Sequence, residues 1–417
     1  MQFSPNKRKP YVLCLKAIAA SSHIFNYLCK SSYWLSRMMQ DSSSQDLEPP
    51  ECCIYQIPHN IKRRREFYTP LLFSIGPLHY GKVELAAVEM EKQKLRCYDK
   101  FCSRLYGTWQ EEFKSFIQHH ETHIRNTYRY ISGTCTLSSD VFRKMILYDS
   151  VFILELLISY HEGGNDGILN QSFLKDSIIR RDLLLLENQV PYFILDELHK
   201  LMIADIGIYY DYPSLLILSC NFLRICMPKE VLSMPKKEYD KIKVAHFTDL
   251  ARYALVGILP RDLGRSSGNF MAVPTASTLK KSGVRLESGG SILDIKCLRT
   301  KFLVWRCELQ LPHLKVNMFS ESIFGNIRAL EQCGYDLMSS HFTNFLFLMR
   351  CLVNNEEDLD LLVTEKIISN KLGNAVEVVK LLKRVSEEIT LPERDVWGIC
   401  DHLRAQVTFC DVEDLEK

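Results

Sequence analysis

The chain has 417 residues, 47% of them apolar and 24% charged, so it can bury a sizeable core; wholesale disorder and collagen-like structure are excluded. Lysine plus arginine number 52 and aspartate plus glutamate 50, and a net charge of +2 gives no whole-protein field to attract nucleic acid or an anionic membrane. At about 150 residues per domain, the length fits two or three domains or one large helical one.

Residues 1–40 contain no Asp or Glu but carry Lys7, Arg8, Lys9, Lys16, Lys30 and Arg37. They read as a basic, weakly ordered extension, and their composition is also that of an organelle transit peptide. Lys16 interrupts the apolar run 11–20, which argues against a secretory signal. Residues 42–50 read as a polar linker ending in proline. The body begins near Cys52, with a short extended piece at 54–58 stopped by Pro58 and a turn at 74–77.

Helical spacing of apolar residues then predicts an amphipathic helix over 83–105, continued in the same style over 109–130. Residues 141–160 read as a strongly apolar, central helix. Residues 163–167 read as a loop. A helix over 178–202 should be kinked or divided by Pro191. Helices follow at 213–227 and 241–256, then a Gly-, Ser- and Pro-rich mobile loop at 260–274. Near 291–316 the period changes to two. Leu293, Ile295 and Cys297, then Phe302 and Val304, then Leu309 and Leu311, predict short strands ending at Pro312. Helical spacing returns over 321–333, 342–353, 356–366 and 376–389, and the last seven residues, with four acids, read as a solvated tail. The expected fold is mainly α: one large helical domain with a small β insertion. No charge-free stretch reaches the roughly 20 residues that a bilayer-spanning helix needs.

Candidate chemistry is sparse. The 15 cysteines are scattered without a C-x-x-C pair and read as reduced, partly buried thiols. His119 and His123 are four apart and would share a helix face, making them the best candidate metal ligands, but the H-E-x-H spacing is one residue short of the hydrolytic zinc motif. A polar helix surface is the plainer reading of them. Lys62-Arg63-Arg64-Arg65 is a basic run that reads as a solvated loop, with a nuclear signal or phosphate contact as the sharper alternative. Gly76-Pro77-Leu78-His79-Tyr80-Gly81 is a turn, since it has neither a dinucleotide nor a P-loop pattern. Glu187, Asn188 and Gln189, just before Pro191, and Asp182 ahead of an apolar stretch, read as a polar network satisfying backbone groups freed by a helix break.

Long, ordered segments of this sequence resemble a plant family known as "domain of unknown function 247". They are Cys53 to Pro58, including Tyr55; Tyr68-Thr69-Pro70; Ser74 to Gly81, including Gly76, Pro77, His79 and Gly81; MILYDSVFILEL around Asp149; DLLLLENQVPYF, from Asp182 through Glu187, Asn188, Gln189 and Pro191; Thr278 to Val284; Leu293-Asp294-Ile295; ESIFGNIRALEQC, with Glu331 and Gln332; and Glu357-Asp358 to Leu372-Gly373. The resemblance spans about residues 52–390 and leaves 1–50 as an extension and 391–417 as a tail. It implies a largely helical plant protein with no assigned enzyme activity and no cofactor, whose motif residues are structural. Some relatives are implicated in self-incompatibility recognition, which implies a non-enzymatic interaction or signalling module with an unknown protein partner. The alternatives are an enzyme of unknown class, which would need a concave pocket with convergent polar groups, or a truncated member without retained function. Relatives usually end in an apolar membrane helix where this chain has an acidic tail, and carry Asp where it has Arg350. The expected location is cytoplasmic or membrane-peripheral, with membrane association by family analogy rather than by a span, and no nucleic-acid partner.

Overall fold

The computed structural model describes residues 52–415, apart from 63, 82–84, 131–134, 164–172, 208–211, 225–242, 258–272, 303, 336–338 and 388–398. Residues 1–51 form a separate unit outside this description. The expectations for the N-terminal extension, for most of the 163–167 loop and for most of the 260–274 loop therefore lie outside the described residues.

An apolar run of helical length with no polar face has one stable place, the interior. Helix Ser139–His161 occupies it, with every residue from Asp149 to Ser159 buried, Glu155 among them. In chain order the helices are α1 (Leu85–Arg104), α2 (Trp109–His119), α3 (Glu121–Asn126), α4 (Ser139–His161), α5 (Phe173–Leu183), α6 (Tyr192–Ile206), α7 (Leu215–Phe222), α8 (Phe247–Val256), α9 (Ala276–Lys281), α10 (Ser320–Gly334), α11 (His341–Leu352), α12 (Glu356–Thr364), α13 (Ala375–Val385) and α14 (Cys400–Leu415). Helices α1, α2, α6 and α7 pack around α4. Helices α8, α11 and α13 pack around α10, whose residues from Ser320 to Glu331 are all buried. The fold is mainly α.

Among the described residues three small sheets interrupt it. Strands β1 (Ile54–Tyr55) and β2 (Tyr128–Arg129) form a parallel pair. Strands β3 (Val284–Ser288), β4 (Lys296–Phe302) and β5 (Val304–Leu311) make a sheet in the order β3-β5-β4, with β5 parallel to β3 and antiparallel to β4. Strands β6 (Leu314–Val316) and β7 (Ile368–Asn370) pair in parallel. Along β5 the alternation is visible as burial: Cys307, Leu309 and Leu311 face the core, while Glu308 and Gln310 are only half-buried.

The structure departs from expectation at four places. The helix expected over 109–130 breaks at His120, whose ring Nδ1 lies 2.9 Å from the Phe116 carbonyl, and the chain then ends this stretch in β2. The helix expected over 178–202 is divided, but Pro191 does not kink it. Helix α5 stops at Leu183, residues 184–191 are non-helical, and Pro191 is the cap before α6. The β region begins at Val284 rather than 291, and Ile292–Asp294 is a 3-10 turn closed by a Ser291–Asp294 capping box rather than a strand. Residues 411–415 of the acidic end are part of α14, which begins with buried Cys400 and Leu403 and donates from Gln406 to the Ser282 carbonyl.

Leu184 and Leu185 are 1% exposed, as is Leu156, and Phe152 is fully buried. Leu185→Asp is expected to abolish soluble folding, because an unpaired buried carboxylate costs several kcal/mol. Soluble yield and circular dichroism check this, and wild-type values would refute the placement.

Candidate functional site

The family-like motifs converge on one place: the non-helical stretch 184–191 and the segment 53–81 that runs beside it. Non-helical backbone inside a protein must find partners for its N–H and C=O groups. Here side chains of the motifs supply them.

Asp149, on α4, accepts from the Gly76 N–H at 2.8 Å and from Lys94 Nζ at 2.7 Å. Lys94 also donates to the Ser74 carbonyl at 2.6 Å. Burial alone would lower the Lys94 ammonium, but the carboxylates of Asp149 and Glu91 outweigh it and hold it above its ordinary value. Asp182 accepts from the N–H groups of Leu71 and Leu72 at 2.9 and 2.7 Å and from Arg181 at 2.7 Å. Complete burial pushes its carboxyl up to about 6 against these donors. Arg181 in turn donates to the Thr69 and Glu66 carbonyls.

Glu187 joins three segments. Its Oε1 accepts from the Ile57 N–H at 2.8 Å, and its Oε2 meets Lys62 Nζ and, at 3.1 Å, His79 Nε2. Burial pushes this carboxyl upward, but the hydrogen bond from His79 and the Lys62 ammonium win and hold it at about 2. Asn188 accepts from the Ile75 N–H at 2.6 Å and donates to the carbonyls of Phe73 and Asp182. Gln189 accepts from the Phe247 N–H at 2.9 Å and donates to the Leu183 carbonyl, one of the groups that the end of α5 leaves open, and to the Leu185 carbonyl just beyond it. Gly76 sits at φ +70°, and a Cβ there would stand 2.3 Å from the Gln189 carbonyl oxygen, so the two strips of backbone touch only because this residue has no side chain.

The remaining motif residues are spread around this knot. The Tyr55 hydroxyl donates to the Cys52 carbonyl, and its ring lies against Gly334. The Pro58 carbonyl accepts from Ile61 and Lys62 N–H groups. Pro70 and Pro77 are half-buried, and Gly81 lies exposed at φ +73°. Glu331 belongs to a second latch: it accepts from Arg252 Nε at 2.8 Å, from the Phe342 and Thr343 N–H groups at 3.1 and 2.7 Å, and from the Thr343 hydroxyl at 2.7 Å. Its neighbour Gln332 is exposed and takes no part. Arg350 donates to the Ser386 carbonyl at 3.3 Å.

Lys94 and His246 carry no motif-level signal, and Asn326 lies inside ESIFGNIRALEQC without standing out in it. His246 is fully buried; its Nδ1 accepts from the Asp249 N–H and its Nε2 therefore donates to the Cys53 carbonyl, 2.9 Å away. Burial lowers its pKa and keeps the ring neutral. Asn326 accepts from the Leu186 N–H and donates to the Phe67 carbonyl. Lys94 is one lysine among many on a charged helix, and His246 one histidine among 12.

The candidate metal pair is not assembled on one helix. His119 ends α2, while His123 lies on α3, against the ring of Phe193. Glu121 between them is spent on Arg125 and Arg143. Among the described residues no group of three His, Cys, Asp or Glu side chains could hold a metal ion. Of the basic run, Lys62 points inward to Glu187, while Arg64 and Arg65 are exposed, Arg64 standing 3.6 Å from Glu321 and over the ring of Phe67; Arg63 lies outside the described residues. No helix of the described residues is long and apolar enough to cross a membrane.

Chemically the arrangement is a set of latches. Side chains of two distant segments, Asp149 on α4 and Asp182, Glu187 and Asn188 around the end of α5, accept from backbone N–H groups of the segment 53–81, fixing irregular chain without lengthening any helix.

Residues 54–410 match the family model DUF247, described as a plant protein of unknown function. The UPF0481 protein At3g47200 of Arabidopsis thaliana is 29% identical over 393 residues, covering 87% of this chain and 77% of the relative. A second UPF0481 protein of Arabidopsis thaliana, At3g02645, is 29% identical over 151 residues, which is 36% of this chain and 27% of the relative. No solved structure matches the chain. The match runs from β1 into α14 and takes in every latch described above, so the chain belongs to the DUF247 family of plant proteins.

Proposed function

We propose that this protein is a non-enzymatic interaction module that binds another protein through its helical surface, at a cytoplasmic or membrane-peripheral location. The observation that carries this reading is Tyr106. It is 96% exposed, yet it is not on a loose loop. Its N–H donates to Asp205 at 2.8 Å, and the next residue, Gly107, lies so close to that carboxylate that a Cβ would overlap it. Ile206, itself 37% exposed, follows Asp205 at the end of α6. A tyrosine whose backbone is tied to Asp205 while its ring stands in solvent offers the kind of large amphipathic anchor that carries binding energy at protein interfaces.

Two further points favour a protein partner. The polar groups of the motifs are engaged with the chain's own backbone, so their chemistry maintains shape. Lys62 of the basic run is turned inward to Glu187 and Arg64 lies near Glu321, so acids balance part of the run and it offers a nucleic acid less free charge.

The test compares wild type with Tyr106→Ala, both tagged internally and recovered from plant tissue after brief crosslinking. Stability should change by less than about 0.5 kcal/mol, as for a surface position. A specific co-purifying protein should lose affinity on the order of 30-fold, the value of an interface anchor worth about 2 kcal/mol. Equal recovery of the same partner with both proteins would refute the assignment of Tyr106, and turnover of a small molecule by the purified chain would refute the module reading.

A further inference from the structure

Strands β4 and β5 carry one cysteine each within the described hairpin. In their antiparallel register Cys297 lies opposite Leu309 and Cys307 opposite Arg299, so the cysteines are diagonal neighbours on one face. It is the face turned to the core: Cys307 and Leu309 are fully buried, and Cys297 is half-buried. Their sulfurs stand 2.6 Å apart, about half an ångström beyond a covalent S–S bond. Most diagonal side chains on a hairpin do not approach so closely, and this pair needs almost no backbone movement to join.

We propose that Cys297 and Cys307 form a reversible disulfide site whose oxidant is a small-molecule disulfide of the glutathione type. Cys297, the sulfur reached from solvent, loses its proton and attacks one sulfur of glutathione disulfide. The S–S bond of the oxidant breaks, one glutathione thiolate leaves, and a mixed disulfide remains on Cys297. The Cys307 thiolate then attacks the Cys297 sulfur and expels the second glutathione thiolate. The two protons given up by the cysteines are taken by the two glutathione thiolates. The protein dithiol is oxidised by two electrons and glutathione disulfide is reduced to two thiols. The product ties the edge strand β4 to the central strand β5, closing a ring over residues 297–307. This site is independent of the Tyr106 surface.

The experiment equilibrates the full chain in glutathione buffers from fully reduced to fully oxidised, quenches in acid, alkylates remaining thiols with iodoacetamide and digests with trypsin. Cleavage at Lys296, Arg299, Arg306 and Lys315 isolates peptide 297–299 and peptide 307–315. The expected result is one linked species joining these two, growing with the oxidised share and lost on adding dithiothreitol. Cys307→Ala should arrest the reaction as a glutathione adduct on Cys297. Alkylation of both cysteines at every ratio would overturn the proposal. So would linkage that appears only after unfolding in urea, because it would owe nothing to the folded geometry.

Discussion

Glu331→Ala is expected to destabilise the folded chain by about 3–5 kcal/mol, the cost of removing one partner from a buried ion pair. Glu331 and Arg252 are both inaccessible to water, at 0% and 3% side-chain exposure. Without the carboxylate, the guanidinium keeps only the Ser339 carbonyl at 2.8 Å and the ring of Tyr335 at 4.0 Å. The N–H groups of Phe342 and Thr343 lose their acceptor at the first turn of α11, where helix geometry offers no other. A domain of ordinary stability has only about 5–15 kcal/mol in total, so the variant should be close to unfolding at growth temperature. Urea titration followed by tryptophan fluorescence measures the loss. Combining Glu331→Ala with Arg252→Ala should cost less than the sum of the two single changes, since the second removes the stranded charge. A single-variant loss below about 1 kcal/mol would mean that the carboxylate is not the latch between α8, α10 and α11.

The second large effect depends on pH. The Glu187 carboxyl lies at about 2 in the folded chain, against 4.5 as its ordinary value. A carboxyl with a depressed folded pKa contributes stability that is fully present above the unfolded value and is lost as pH falls through the folded one. The gap of about 2.5 units, at 1.36 kcal/mol per unit, corresponds to about 3 kcal/mol. Wild type should therefore exceed Glu187→Gln by about 3 kcal/mol at pH 6, and the difference should close between pH 4.5 and pH 2. Asp182 works in the opposite sense. Its folded value of about 6 lies above 3.8, so its contribution is present in acid and fades as pH rises through 6. Because both proteins carry Asp182, that trend cancels in the comparison. Urea titrations at stepped pH provide the measurement, and a difference that does not vary with pH would show that the Lys62–Glu187–His79 contact is not ionic.

The long helices were legible in the sequence because burial imposes its own period. Helices α1, α4, α10 and α11 lie where apolar residues recur every three or four positions. The short pieces were not. A two-residue strand such as β1 has no period to read, and β7 is only three residues long. The alternation Val284-Arg285-Leu286-Glu287 has the period of β3, but four residues are too few to move the start of the strand region ahead of 291. Around Ile292 the opposite occurred: the spacing of Leu293 and Ile295 suggested a strand, while Ser291 and Asp294, three apart, marked the capped turn that forms. The stretch 184–191 looked helical because four leucines give no punctuation. What unwinds it is distributed over the molecule: the amides of Asn188 and Gln189, the Thr248 hydroxyl on the Leu184 carbonyl and Asn326 on the Leu186 N–H. Of the latch residues, Asp182, Glu187, Asn188 and Gln189 were visible as polar groups beside an apolar run. Lys94, His246 and Asn326 were not, because only the fold brings them near.

The Phe67 carbonyl receives its hydrogen bonds from Ser322 and Asn326, 255 and 259 residues further along the chain. A ribosome adding roughly 5–20 residues per second needs roughly 10–50 s to make that much polypeptide. For that interval the segment 52–81 has been synthesised, but α10, which closes over it, does not yet exist. Newly made chains should therefore wait, with their first apolar segment uncovered, for the last third of the molecule to emerge. Ribosome-bound nascent chains stopped before residue 320 should be bound by chaperones and cut readily by protease, and released full-length chains should resist.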